Sequence, residues 1–272
     1  MAKRVESPSS INTFKQCPRK YYYQYIEKLP VLPNIHQVRG NIAHDTLEHF
    51  YDLDYSTFIE ENYALKIREN IQKIFFVHWK QAHKELSNLH LHPDQEKFYF
   101  EETMLMLMNW TNHFISDIAL LMEKKKISPS EAFLLHTPIR EQEFVSEEHA
   151  VHGFIDAIHR IEEEIHIIDY KTNSSFDFKD SIRLQLAIYS LLYQEKHKKT
   201  PDKVGIFFLR QKLKLINVDQ ELIDLAKTEI AAIHAHTSKT EQKQDYPCNI
   251  TPLCKWSSGK CDFYDTCLPH KK

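Results

Sequence analysis

Four glycines in 272 residues, Gly40, Gly153, Gly205 and Gly259, set the first limit on this chain. Neither G-x-x-x-x-G-K-S/T nor G-x-G-x-x-G can be assembled from them, which excludes the phosphate-cradling loops of NTPases and dinucleotide-binding enzymes. The length suits one large domain, or a core with an insertion. Hydrophobic residues make up 42% and charged residues 27%, the balance of a soluble globular protein. No apolar run reaches the roughly 18 residues of a membrane span. The segment MAKRVESPSS has no apolar stretch of the secretory kind, so the expected location is cytoplasmic. A net charge of −3 argues against bulk coating of duplex DNA, but it leaves room for a local basic groove. Arg19-Lys20, Lys124 to Lys126 and Lys196 to Lys199 are candidates for one, solvated faces being the plainer reading.

Periodicity divides the chain. Ser9 or Ser10 can cap a helix carrying Ile11, Phe14 and the tyrosines that follow. Tyr21 to Tyr23 and Tyr25 could stack on bases, though such residues more often pack a helix on its core. Residues 40–135 read as mostly helical, and EETMLMLMNWTNHFISDIALLMEKKK ends in lysines where the helix dipole favours cations. Near Pro138 the period drops to two, and EQEFVS, AVHGFIDAIHRI and EIHIIDYKT read as consecutive strands. A helix over 180–196, a buried strand at VGIFFL, a partner strand in KLKLINV and a last helix over 219–237 complete the body. The expected fold is α/β: one unit over 1–272 with a mixed central sheet flanked by helices, a helical insertion over 50–137 and a Cys-rich tail over 245–272.

In EIHIIDYKT, strand alternation sends Asp169 and Lys171 to one face and Ile168 and Tyr170 to the other. The preceding strand offers Asp156, with Phe154 and Ile158 on its face. A short turn near Glu162 and Glu163 lets the two strands pair antiparallel and bring Asp156 beside Asp169. Adjacent carboxylates repel unless a cation lies between them. Mg²⁺ or Mn²⁺ suits that place, able to polarise a phosphoryl oxygen and acidify a water. Lys171 could orient that water or neutralise developing charge. The plainer alternative is a strand-end salt bridge with Asp156 in a turn.

These residues resemble the PD-(D/E)XK nuclease superfamily, in its branch of RecB-like, AddB-like and Cas4-like exonucleases. Gly153 to Asp156 match its G-x-x-D motif, and Asp169, Tyr170 and Lys171 match (D/E)-x-K. Gln185 and Tyr189 match a downstream Q-x-x-x-Y helix, whose spacing of four gives both residues one face. Gly40 and His44 in GNIAH match the G-x-x-x-H helix that supplies the branch's metal-binding histidine, and Glu141 matches a glutamate often found before G-x-x-D. The resemblance runs in order from about residue 7 to residue 267. It implies a metal held by His44, Asp156, Asp169 and the carbonyl of Tyr170, with Lys171, Gln185, Tyr189 and Glu141 completing the catalytic set. His49, His152 and His159 gain no such support and default to surface or structural roles. The implied reaction is phosphodiester hydrolysis of DNA, with exonuclease action on single-stranded ends, in recombination, repair or end processing. Unwinding would need a helicase partner. A structure-specific endonuclease, or a DNA-binding adaptor subunit of a recombination or CRISPR-adaptation complex, are the alternatives.

The cysteine count is odd, which argues against a disulfide framework. Four of the five thiols fall in the last 25 residues. The resembled branch has members with one upstream cysteine in a C-P-R-K-Y-Y-type segment and three near the C-terminus. That resemblance implies a [4Fe–4S] cluster held by Cys17, Cys254, Cys261 and Cys267, stapling the N-terminal helix to the tail. The sequence departs from the usual tight C-x-x-C, because six residues separate Cys254 from Cys261. Cys248, Cys254, Cys261 and Cys267 could instead hold a structural Zn²⁺, or Cys248 could replace one cluster ligand.

Overall fold

The computed structural model describes residues 4–257 and 259–269. The reading of the N-terminal segment rests partly on residues 1–3, which lie outside the described residues.

Helix α1 (Pro8–Gln16) is capped by Ser7, whose side chain accepts the Ser10 N–H while Ser10 returns the bond. Pro8 fits the first helical position, where no N–H is needed, so the cap falls earlier than Ser9 or Ser10. Cys17 is extended because Pro18 follows it. Helix α2 (Pro18–Tyr21) then runs into a π-helical turn over Tyr22–Ile26. Tyr21 and Tyr23 are fully buried, and Tyr21 stacks on Tyr246 of the tail. The tyrosines thus pack this segment rather than present a surface for bases.

Helices α3 (Ile35–Phe50), α4 (Tyr63–Gln81), α5 (His83–Asn88), α6 (Pro93–Lys125) and α7 (Pro129–His136) follow. α6 stops at Lys126, which takes the left-handed conformation (φ 55°). Lys124 pairs with Glu162. Next come β1 (Ile139–Ser146), β2 (Val151–Ile161), β3 (Glu164–Lys171), α8 (Asp180–His197), β4 (Lys203–Phe208), β5 (Leu213–Asn217) and α9 (Gln220–Thr237). The tail contributes β6 (Lys255–Trp256), β7 (Gly259–Lys260) and α10 (Tyr264–Cys267).

The main sheet has the order β1-β2-β3-β4-β5. Every neighbour is antiparallel except β3 and β4, which run parallel because α8 crosses over between them. This is the mixed α/β sheet expected from the sequence. Its two faces are both covered. Ile167, Ile206 and Phe208 pack with Leu186, Leu191 and Ile230 of α8 and α9. Ile168, Tyr170 and Phe207 pack with Phe50, Trp110 and Phe133 of the helical stretch between α3 and β1. A strand covered on both sides reads as a continuous apolar run, as VGIFF does.

Gly205 in β4 has a packing reason. A Cβ there would stand 2.1 Å from the Lys214 carbonyl oxygen and 2.9 Å from the Leu215 Cα, both backbone atoms of β5. Gly205→Ala is therefore expected to cost at least about 3 kcal/mol by prising β5 away. Urea denaturation would check this, a loss under about 1 kcal/mol contradicting it.

The tail docks on the N-terminal segment through direct hydrogen bonds and an ion pair. The Arg19 N–H donates to the Pro247 carbonyl (3.1 Å) and Arg19 Nε to the Tyr246 carbonyl (2.7 Å). Asn249 donates its N–H to Cys17 Sγ (3.4 Å) and its amide to the Gln16 carbonyl (2.9 Å). Lys20 pairs with Asp262. Arg19 and Lys20 are thus fastenings for the tail and not the wall of a groove.

Candidate active site

Strand pairing aligns three carboxylates. Glu141 lies between the pairs Arg140–Ala157 and Gln142–Ile155, which places it across from Asp156. The β2–β3 ladder reaches the Ala157–Ile168 pair, and the next step would bring Asp156 to Asp169. There the strands part. The Tyr170 N–H, freed from the ladder, donates to Asp156 Oδ2 at 2.7 Å. Alternation breaks at the same point. Ile155 joins the core under α8, whereas Ala157 joins the opposite core. Glu141 has φ 42°, a left-handed conformation that marks the irregularity on β1. Phe154 and Ile158 therefore do not share a face as strict alternation implied: Phe154 is exposed and Ile158 is buried under α8.

On β3 the alternation holds. Ile168 and Tyr170 face α3 and α6, and Asp169 and Lys171 face α8. Lys171 Nζ is 2.7 Å from Asp169 Oδ2. Gln185 of α8 donates to Asp169 Oδ1 (2.8 Å) and to the Tyr189 hydroxyl (2.9 Å). Gly153 gives Tyr189 its room, since a Cβ there would stand 3.0 Å from the ring. From the other side, α3 brings His44 Nδ1 to 3.3 Å from Asp156 Oδ2.

The electrostatics follow from burying several charges together. Burial alone would push Asp156 up and His44 down, but each overcomes this by facing the other. Asp156 ends below the ordinary carboxylate range and His44 is raised to about 9. Burial raises Asp169 to about 6 despite Lys171. Burial, then the neighbouring Asp156, raises Glu141 to about 7. The protein thus holds protons where carboxylates crowd, the signature of a place that favours a cation.

A donor set for that cation exists. One ligand atom each from His44, Glu141 and Asp156 lies within 4.8 Å of the others. A nitrogen with two carboxylate oxygens suits a divalent ion such as Mn²⁺ or Mg²⁺. Asp169 stands outside this trio, engaged by Lys171 and Gln185.

A family model described as the PD-(D/E)XK nuclease superfamily matches residues 6–268. The chain belongs to this superfamily. Among solved structures, the chain is similar to a candidate exonuclease from Eubacterium rectale, at 8% identity and a TM-score of 0.47, covering 97% of this chain and 93% of that one. No curated protein matches the chain.

In this nuclease-superfamily chain, an ion-pair network with a buried arginine lies beside the site and is marked by no motif. Glu102 of α6 bridges Arg39, on α3 five residues before His44, and Arg210, after β4. Arg210 Nε also donates to the Thr172 carbonyl, one residue past Lys171 (3.1 Å). Glu102 therefore ties the His44 helix to the Lys171 strand end. Arg39 directly precedes the motif glycine Gly40, and that adjacency was the available signal. Glu102→Ala leaves Arg39, which is buried, without its partner, and is expected to cost about 3 kcal/mol. Equilibrium denaturation reads this directly, and an unchanged midpoint would contradict it.

Proposed function

We propose that the chain is a metal-dependent deoxyribonuclease acting on single-stranded ends. The carrying observation is that Asp156 is engaged by His44 and the Tyr170 N–H while the Asp169–Lys171 pair lies at the adjoining strand end. His44, Glu141 and Asp156 would hold the ion, and Asp169 and the Tyr170 carbonyl are the further ligands that the resemblance implies. When bound, Mg²⁺ or Mn²⁺ supplies Lewis-acid polarisation of the phosphate and a water of lowered pKa. Lys171 neutralises charge that develops on the phosphate and positions the nucleophile. Gln185 fixes the Asp169 carboxylate, and through it the Lys171 ammonium, while Tyr189 fixes Gln185. α4 to α7 form a helical insertion that supports the His44 helix. Exonuclease action on ends follows the resemblance to Cas4-like enzymes, as does a place in recombination or repair beside a helicase.

The tail thiols complete this reading as [4Fe–4S] ligands, Cys17, Cys254, Cys261 and Cys267. The Asn249 N–H donates to Cys17 Sγ at 3.4 Å, which brings the upstream thiol against the tail and supports a site that includes Cys17 over one confined to the tail. Cys248 Sγ lies 3.5 Å from Cys267 Sγ, which keeps Cys248 in reach as a substitute ligand.

The test uses end-labelled linear and covalently closed circular single strands with Mn²⁺, Mg²⁺ or EDTA. Degradation of linear strands only, and only with metal, is expected. Cleavage of circles would instead favour the endonuclease reading, and cleavage in EDTA would overturn the metal reading.

A further inference from the structure

The segment that joins Lys171 to α8 carries two aromatic rings, Phe176 and Phe178, with Asp177 between them. Both rings are half-buried and lean on Phe208, with centroids 5.1 and 6.4 Å away. Phe208 is the β4 residue in register with Lys171, so the rings lie one strand over from that ammonium. Two lysines at the β4–β5 hairpin close over the same rings. Lys214 Nζ stands 5.3 Å from the Phe176 centroid and 4.9 Å from that of Phe178, and Lys212 Nζ stands 5.9 Å from Phe176. Among the described residues neither lysine meets a carboxylate, although Lys203 pairs with Glu164 and Lys171 with Asp169. Asp177 is exposed and pairs with neither.

The register ties these groups to the candidate active site. Asp169 is opposite Ile206, and Ile206 is opposite Lys214. Ile206 lies in the core under α8, and Ile216, two residues on from Lys214, packs against that core, so Lys214 shares the face of Asp169. Two strand spacings, about 10 Å, separate Asp169 from Lys214. The rings stand at the carboxyl ends of the parallel pair β3 and β4, where open α/β sheets bind their ligands.

We propose that Phe176, Phe178, Lys212 and Lys214 form a platform for single-stranded DNA that holds the nucleotides next to the scissile one. The proposal rests on the nuclease reading of the Asp169–Lys171 end. A single strand offers flat bases beside a row of phosphates, and half-exposed rings beside unpaired ammonium groups meet both. A lysine over a half-exposed ring is held weakly, so it can swing to a phosphate while a base takes its place on the ring. Bases paired and stacked in a duplex offer no free face, so the platform favours single strands. The plainer alternative is a hydrophobic lid on the end of the sheet, with lysine stems lying across it.

The experiment measures binding of a fluorescein-labelled oligothymidine of about ten nucleotides to the full-length chain in EDTA, by anisotropy across a salt series. Lys212→Ala/Lys214→Ala is expected to weaken binding more than about 10-fold and to flatten the dependence of log affinity on log salt by about 1.4, the share of two phosphates on a single strand. Phe176→Leu/Phe178→Leu is expected to weaken binding at least about fivefold with the salt slope unchanged. The lysine variant decides the matter if the aromatic one fails to fold, and a mere lid would leave its salt slope where it was. With Mn²⁺, the lysine variant is expected to raise KM for the strand and to keep its rate on bis(p-nitrophenyl) phosphate, which is too small to reach the platform. Unaltered affinity and slope in the folded lysine variant would overturn the proposal and leave the nuclease reading intact. Failure of the unaltered chain to cleave any strand with metal would instead overturn the nuclease reading, while the binding series still decides the platform.

Discussion

Lys171→Ala is expected to slow metal-dependent cleavage by at least about 10²–10³-fold, the scale of losing one preorganised charge at a developing oxyanion. The same variant is expected to keep its divalent ion. Lys171 pairs directly with Asp169, while its charge bears on Asp156 and His44 only through space. Removing the ammonium leaves a buried Asp169, but that carboxyl is already raised to about 6 by burial and can take a proton instead of unfolding the strand. Single-turnover cleavage of labelled strands, beside Mn²⁺ binding by calorimetry, separates the two effects. Equal loss of both would move Lys171 from chemistry to architecture, and an unchanged rate would remove it from the site.

Cys17→Ser is expected to abolish iron incorporation and to lower stability by about 4 kcal/mol, the scale of opening a very long closed loop. The tail would still touch α1 and α2 through Arg19 and Asn249, but those bonds are partly exposed and individually weak. Iron and sulfide analysis of anaerobically purified protein, with a thermal melt, reads both quantities. If the variant keeps a full complement of zinc and its melting temperature, the four tail thiols alone hold the ion and the cluster assignment falls.

How much of this was legible beforehand depends on whether local rules governed the residue. Asp169 and Lys171 on one face of β3 follow from alternation alone, and the helices follow from their apolar period. The break at Asp156 was not readable, because it arises where β2 and β3 part and a side chain takes over the Tyr170 N–H. Glu141 could be named but not placed, since its position across from Asp156 depends on a left-handed residue in mid-strand. The cap at Ser7, where Ser9 or Ser10 was expected, follows from Pro8, which fits the first helical position. Glu102 and Asp117 lie on a 33-residue helix that read only as amphipathic, and their partners come from elements distant in sequence. His159 is a core residue only 7% exposed, the structural one of the two default roles that the sequence leaves it.

In the proposed function, side chains from α3, β1 and β2 share one divalent ion next to the Asp169–Lys171 pair of β3. Electron paramagnetic resonance of Mn²⁺ bound to the intact chain and to Asp156→Asn tests it most directly. One tightly bound Mn²⁺ per chain is expected, lost together with cleavage in Asp156→Asn. Undiminished Mn²⁺ binding and cleavage by folded Asp156→Asn would contradict it.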